Sequence, residues 1–226
     1  MGLNYGPSVV KSGLVLALDA ADINSYPGTG TTWYVLIGSN SGTLINGPTF
    51  SPSNGGSIVF DGVDDYVNFG STGLDFGTGN FNVSCWIKTS NQSSSGYMGV
   101  VSKYDTGTST GLWIQLTPTN RYVGFGWDGS TYLISTTSVN NGAWRHVSCQ
   151  RTGATTAEIY VDGVLVSSGA GANSNSNTTV QLDIGRINIS GRYFDGTVAN
   201  TQIYNRALTA SEIQQNYQAT KTKFKL

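Results

Sequence analysis

Carboxylate side chains are examined first, because most glycoside hydrolases work with a pair of Asp or Glu residues that flank the bond to be cleaved. The chain has two glutamates, Glu158 and Glu212. Glu158 comes just before a hairpin-like turn, and Glu212 occupies a position typical of a helix cap. No closely spaced acidic pair alternates along a strand-like segment. The sequence therefore predicts a protein that is not an enzyme.

A cluster of aspartates offers a different chemistry. Asp61, Asp64 and Asp65 surround Gly62 in an oxygen-rich turn, and Asp195 is a candidate to join them from a distant strand end. Calcium is bound by about six to eight oxygens, so these four residues are a candidate calcium site. The alternative is a tight turn in which the Asp side chains accept hydrogen bonds from backbone amides. We favour the turn, and calcium stays the one cofactor to be considered.

Aromatic residues in strand-like segments could form a binding platform. Trp113 and Gln115 alternate with Leu112, Ile114 and Leu116, and Trp86 and Tyr122 also lie opposite apolar positions of their own segments. Rings on one sheet face can stack on sugars while an amide bonds to hydroxyls. Trp86, Trp113, Gln115 and Tyr122 are therefore candidate ligand-binding residues. The alternative, which we favour, is that these rings simply pack against the rest of the domain.

Three further side chains have reactive groups but favour structural roles. His146 is the single histidine and has no nucleophile-elbow serine to serve, so we expect it to be packed within a sheet. Cys85 and Cys149 share strand faces with valines, which predicts two buried, reduced thiols.

Composition and patterning predict the elements that position these residues. Of 226 residues only 11% are charged, while Gly numbers 30, and the net charge is −1. Nothing in this balance favours nucleic acid or a membrane as a partner. Many short alternating segments separated by Gly, Asn and Ser turns indicate an all-β sandwich. Asp162-Gly163 is typical of a type I′ hairpin turn, and Thr209 with Glu212 predicts a helix over about 211–219.

Several motifs resemble one known family in their order along the chain. The stretch Phe60–Val67, containing Phe-Asp-Gly-Val-Asp-Asp-Tyr-Val, resembles the hallmark of laminin-G-like, concanavalin A-like proteins. The other matching segments are Ser12–Ala21, Phe81–Lys88, Trp144–Val147, Tyr160–Gly163, Phe194–Gly196 and Ile203–Thr209. The resemblance implies a single domain over residues 1–226, folded as a two-sheet antiparallel jelly-roll sandwich with one short C-terminal helix. Residues 1–12 would form an N-terminal arm and residues 219–226 a basic tail.

The resemblance also implies a biological setting. The leader and the tail look like those of laminin-G-like proteins common in tailed bacteriophages, which implies a non-catalytic structural or recognition protein on the outer surface of a virion. A capsid decoration protein and a head or tail fibre component both fit. Its partners would be other virion proteins, further copies of itself, and cell-surface glycans. The alternative is a bacterial cell-surface or secreted carbohydrate-binding module.

Two departures from the family pattern bear on calcium, and the tail bears on assembly. Val35 stands where relatives often have Asp, and Ala199-Asn200 replace an acidic pair, so carboxylates are lost. In the tail, Lys221, Lys223 and Lys225 surround Phe224, and these four residues are the candidate assembly contact. We expect that the domain folds without residues 221–226.

Overall fold

Each strand runs antiparallel to its neighbours in the computed structural model. The structure describes residues 7–92, 96–129, 132–189 and 191–226. Sixteen strands and one α-helix are found in these ranges. The first eight strands are β1 (Leu14–Asp19), β2 (Thr32–Trp33), β3 (Gly42–Ile45), β4 (Thr49–Ser51), β5 (Ser57–Asp61), β6 (Tyr66–Asn68), β7 (Phe81–Lys88) and β8 (Met98–Asp105). The others are β9 (Thr110–Leu116), β10 (Tyr122–Asp128), β11 (Leu133–Ser138), β12 (Trp144–Thr152), β13 (Thr156–Val161), β14 (Val164–Ala170), β15 (Asp183–Ile184) and β16 (Asp195–Tyr204).

These strands form two antiparallel sheets. Sheet A has the order β14-β13-β12-β7-β16-β5-β4, and β1 pairs with the second half of β16. Sheet B has the order β11-β10-β9-β8-β15-β6-β3-β2. Helix α1 (Ala210–Thr220) follows β16, and a 3₁₀ turn (Lys221–Phe224) follows the helix. The predicted antiparallel sandwich with one C-terminal helix is confirmed. In the described ranges no helix has the length and apolar character needed to cross a membrane.

The core lies between the two sheets and consists of the apolar positions that alternate along each strand. Strand β7 contributes Phe81, Val83, Cys85 and Ile87, all without exposed surface. Strands of sheet B face them with Leu112, Ile114, Val123, Phe125 and Trp127. Each strand therefore points its other set of side chains away from the core, and these outer faces differ between the sheets.

Two turns show why the sequence requires glycine. Gly62 has φ = 76°, and a Cβ there would lie 2.6 Å from the Cβ of Asp195. Asp162 and Gly163 both have positive φ, 53° and 80°, as a type I′ turn requires. A Cβ on Gly163 would also lie 2.1 Å from Oε1 of Gln214 on the helix. The predicted hairpin turn is confirmed, and it is also a docking point for α1.

The capping box predicted for the helix is present. The Thr209 hydroxyl accepts a bond from the Glu212 amide at 3.2 Å, and the Glu212 carboxylate accepts one from the Thr209 amide at 2.9 Å. Arg206 also donates to both Glu212 oxygens, and this bonding lowers the pKa of Glu212 to about 2. Helix α1 then packs on the outer face of sheet A through Ile213, which lies against Tyr160 and Tyr204.

The expectation that Phe224 anchors an assembly contact is wrong, because this residue is buried within the domain. Its side chain is 5% exposed and stacks on Trp86 and Trp144, with ring centroids 4.2 Å and 4.6 Å apart. The tail is further held by an ion pair from Lys223 to Asp19. Since burial of an aromatic ring stabilises a fold by several kcal/mol, residues 221–226 belong to the folded domain. The expectation that the domain folds without them is therefore not supported.

The remaining tail and arm residues have mixed environments. The Lys221 ammonium lies 5.5 Å from the centre of the Tyr217 ring, and Lys225 is exposed. In the predicted arm, Val10 is buried and donates its amide to Asn216 Oδ1 at 2.8 Å. The arm residues 1–6 lie outside the described residues.

The two thiols and the histidine are buried as expected. Cys85 and Cys149 are unpaired and fully buried, and burial raises the pKa of Cys85 to about 12. His146 lies beside Trp86, with ring centroids 5.4 Å apart, and burial lowers its pKa to about 4 against a smaller opposing effect of Asp162. Its Nδ1 atom has no hydrogen-bond partner within the described chain.

Candidate functional site

The outer face of sheet B has a row of large side chains between rows of small ones. In the strand register, Trp113 lies between Ser102 of β8 and Gly126 of β10. Gln115, two residues along β9, lies between Gly99 and Gly124. Because the flanking residues are small, nothing on the neighbouring strands rises beside the indole ring and the amide. The local sequence therefore makes a furrow with Trp113 and Gln115 in its floor.

Loops at both ends of these strands close the furrow into a cavity of about 300 Å³. This volume is at the lower end of the range typical of small-molecule sites. Aromatic and polar groups share its wall: Tyr97, Tyr104, Trp113, Gln115, Asp128, Gly129, Tyr132, Ile187, Ile189 and Arg192. The site combines flat apolar rings with a few directional hydrogen-bonding groups.

The aromatic rings form a continuous wall around Trp113. The Tyr132 ring is 5.2 Å from the Trp113 ring, and the Tyr104 ring meets it nearly edge-on at 6.5 Å. Tyr132 lies over Gly124, where an added Cβ would be only 2.7 Å from its Cε2 atom. The side chain of Tyr132 is 41% exposed, whereas that of Trp113 is 9% exposed. The wall thus has a solvent-exposed outer ring, Tyr132, packed on a buried inner ring, Trp113.

Hydrogen bonds link the polar groups of the cavity. Arg192 Nη1 donates to Gln115 Oε1 at 3.1 Å, and the guanidinium lies over the Tyr97 ring, 4.8 Å from its centre. The Tyr132 hydroxyl hydrogen bonds with Tyr97 and Gln115. Burial, followed by the proximity of Tyr97, raises the pKa of Tyr132 to about 12 despite opposing effects of Gln115 and Arg192. At neutral pH the cavity therefore presents a neutral phenol and a cationic guanidinium.

Trp86 is not part of this site, and its prediction as a ligand-binding residue is wrong. Strand β7 lies in sheet A, so its outer face points to the opposite side of the sandwich from that of β9. Trp86 has no exposed surface, donates from Nε1 to Thr220 Oγ1 at 2.8 Å, and is covered by Phe224 and Tyr217. Tyr122 does lie on the sheet B side, but it is not among the residues that line the cavity.

The aspartate turn is assembled as predicted, and most of its bonds are those of a turn. Carboxylate oxygens of Asp61, Asp64 and Asp65 lie within 4.8 Å of one another. Asp61 Oδ1 accepts from the Val63 amide at 2.8 Å, and Asp65 Oδ2 accepts from the Asp61 amide at 3.1 Å. Burial is the main cause that raises the pKa of Asp65.

Asp195 stands opposite Asp61 in the β5–β16 ladder, and its Oδ2 accepts from Asn91 Nδ2 at 2.6 Å. The carboxylates of Asp61, Asp65 and Asp195 thus already accept hydrogen bonds from amides, and the cluster supplies only part of the six to eight oxygens that calcium takes. This geometry fits the turn better than a metal site, and calcium binding stays a prediction. Asp61 and Asp195 also line a polar cavity of about 230 Å³ that shares Tyr97 with the aromatic one.

Several of the cavity residues that sequence reasoning missed come from loops. Tyr97, Tyr132 and Arg192 lie outside the regular strands, where no alternation indicates the direction of a side chain. The available signal was compositional, since each is a large side chain in a segment rich in Gly, Ser and Thr. A large ring or guanidinium in such a segment is a candidate for a loop that folds back on a sheet.

Comparison with known proteins identifies the family. Residues 61–214 match the laminin G family described as the concanavalin A-like lectin/glucanases superfamily. The chain belongs to this superfamily. Its two-sheet sandwich is the concanavalin A-like jelly roll that the sequence motifs predict. A comparison with curated proteins gave no match.

Solved structures with the same fold come from binding proteins and from enzymes. The binding domain of Paraclostridial Mosquitocidal Protein 1 is similar with a TM-score of 0.71 and 13% identity, over 91% of this chain and 52% of that one. The Botulinum neurotoxin serotype G binding domain gives 0.69 and 14%, over 90% and 50%. Trypanosoma rangeli sialidase in complex with sialic acid gives 0.71 and 18%, over 95% and 34%.

These similarities concern the fold. The chain spans about half the length of the two binding domains and about a third of the sialidase. Identities below 20% leave the individual cavity residues without counterparts that could be transferred. The comparisons therefore show a lectin-like fold and identify no ligand for this chain.

Proposed function

We propose that the protein is a non-catalytic glycan-binding module that holds a sugar in the aromatic cavity of sheet B. The observation that carries the proposal is the Trp113 furrow, in which small residues on both neighbouring strands allow one edge of the indole ring to line the cavity. A pyranose ring has an apolar face that stacks on an aromatic side chain, and hydroxyls that bond to groups such as Gln115. The lectin-like fold supports the same assignment.

Two arrangements support a binding rather than a hydrolytic role. Glu158 lies on sheet A and accepts hydrogen bonds from Gln150 and Tyr160, and Glu212 is occupied in the helix cap. Among the described lining residues of the cavity, Asp128 is the one carboxylate. Since the usual glycosidase mechanisms need two, we propose that the cavity binds its glycan without cleaving it.

The test is a glycan array followed by titration calorimetry on the best ligands, with Trp113→Ala as the main variant. Loss of the stacked ring is expected to weaken binding about 5- to 150-fold, since aromatic contacts of this size contribute about 1–3 kcal/mol. Tyr122→Ala is the matched control, because it removes a ring from the same sheet that does not line the cavity. Equal affinities for both variants, or release of sugar products from any bound glycan, would contradict the proposal.

The biological setting is a separate proposal that depends on the sequence resemblance. The phage-like leader and tail support a place on the outer surface of a virion, as a capsid decoration protein or as part of a head or tail fibre. The partners would be other virion proteins or further copies of this chain. Lys221 and Lys225 stay available for such contacts, whereas Phe224 does not. Mass spectrometry of purified particles tests this setting, and absence of the protein would favour the cell-surface or secreted module.

A further inference from the structure

The cationic group of the cavity is held in place by both its backbone and its side chain. The Arg192 carbonyl accepts hydrogen bonds from the Gly99 and Ile187 amides, at 3.2 Å and 3.1 Å. Its guanidinium uses Nη1 to bond to Gln115 and stacks over Tyr97. Arg192 therefore does not depend on a ligand for its orientation. A preorganised group of this kind loses little conformational entropy when it binds a partner.

The charge of Arg192 is not neutralised within the described part of the chain. Five ion pairs are found there, and none of them includes Arg192. Its bonded partner, Gln115, is neutral, and the Tyr132 phenol stays protonated at neutral pH. The cavity thus holds a cation that is partly screened from water by Tyr97 and Tyr132. This cation forms no ion pair with the described residues.

The acid of the same cavity is placed too far along the sheet to be that partner. Asp128 pairs with Thr110, whereas Gln115 pairs with Gly124. Four residues along β10 separate the two rows, which is roughly 13 Å at the rise of a β-strand. Asp128 is also engaged locally, because its Oδ2 accepts from the Ser174 hydroxyl and its charge acts on Arg151. The cavity therefore has an acidic end and a separate cationic end.

We propose that the ligand of this cavity is an acidic glycan, with a sugar carboxylate bound by Arg192 and the adjoining ring stacked on Trp113. This inference rests on the proposed glycan-binding function and names its substrate class. The guanidinium fork matches the two oxygens of a carboxylate, and charge-assisted bonds of this type are about twice as strong as neutral ones. Uronic acids and nonulosonic acids are two classes of sugar that place such a group on a pyranose.

The experiment compares ligand pairs that differ in a carboxylate alone. Trigalacturonic acid is measured against its carboxyl-reduced form, and 3′-sialyllactose against lactose, by titration calorimetry with the full chain. We expect the acidic member of at least one pair to bind about 10-fold more tightly, with an advantage that shrinks between 50 mM and 500 mM NaCl. Arg192→Gln should remove this advantage, so that the acidic and neutral members of the pair bind to the variant with affinities within about 2-fold of each other.

Two variants make the result specific. Arg192→Lys keeps the charge but loses the planar fork, so it should recover only part of the preference for the acid. Lys225→Gln removes an exposed cation from the tail and should leave the affinities for the acidic and neutral glycans unchanged. Thermal melting of each variant shows that the domain is folded under the assay conditions.

The outcomes separate this inference from the proposed function. Equal binding of acidic and neutral members, with both still lost in Trp113→Ala, overturns the acidic ligand and keeps the glycan-binding module. Tighter binding of a sulfated glycan than of either carboxylate also overturns it, because the recognised group would then be a sulfate. Absence of binding to any glycan, with folded protein, overturns both.

Discussion

The outer faces of the two sheets carry similar aromatic residues in different environments. On sheet A, helix α1 and the tail cover Trp86 and Trp144. On sheet B, Trp113 lies in the floor of a cavity and is flanked by small residues. Tryptophan in a strand thus says little about function until its cover is known. The two faces differ because the Phe224 ring covers the tryptophans of sheet A, whereas a cavity remains beside Trp113 on sheet B.

Removal of the Phe224 ring should destabilise the packing on the outer face of sheet A. Phe224→Ala is expected to lower the free energy of unfolding by about 3 kcal/mol, because it leaves a cavity against Trp86 and Trp144. For a domain of this size, that corresponds to a fall in melting temperature of roughly 6–12 °C. The measurement is calorimetric or fluorescence melting, with Leu226→Ala as control since that side chain is 50% exposed. Similar melting temperatures for the two variants would show that the tail does not seal sheet A.

Acid should weaken the covered face through His146. Its pKa is about 4 in the folded protein and about 6.5 when unfolded. As the pH falls from 6.5 to 4, the unfolded chain takes up a proton that the folded chain excludes, so stability decreases by up to about 3 kcal/mol. Urea unfolding at pH 7.0, 5.5 and 4.5 measures this slope. In His146→Gln the loss of stability over this range should be smaller, and an unchanged slope would exclude His146 as its source.

A substitution with a smaller effect on stability should alter the cavity on the outer face of sheet B. Gly124→Ala places a Cβ against Tyr132, which is exposed enough to shift its ring. We expect stability to change by less than about 1 kcal/mol, while affinity for the best glycan falls a few-fold because the cavity wall moves. Gly107→Ala, at an exposed turn, is the control. A fall in stability without a fall in affinity would indicate that Tyr132 is a packing residue rather than part of the site.

The comparison of the two faces also shows what sequence patterns can predict. Alternation correctly gave the face of each strand on which Trp86 and Trp113 lie, because side chains alternate by stereochemistry. It could not give the sheet to which β7 and β9 belong, since that depends on pairing between strands distant in sequence. Trp86 was therefore grouped with residues on the opposite side of the sandwich.

Local signals were reliable where neighbouring residues determine the geometry. The Asp162-Gly163 turn and the Thr209–Glu212 capping box were predictable because each is completed within a few residues. The tail was not, since three lysines around Phe224 resemble a solvated end and its partners lie far away in the chain. Arg192 was missed for the same reason, because its role depends on Gln115 and Tyr97.

The covered face of sheet A has a consequence for how the chain folds. The bond between Val10 and Asn216 joins residues 206 positions apart, and that between Trp86 and Thr220 joins residues 134 positions apart. Contacts of such long range are slow to form. During synthesis, the rings of Trp86 and Trp144 must wait for Phe224, and until then they are an exposed apolar surface that favours aggregation. The docking of residues 221–226 onto sheet A should therefore be a late step of folding, with the cavity of sheet B formed earlier.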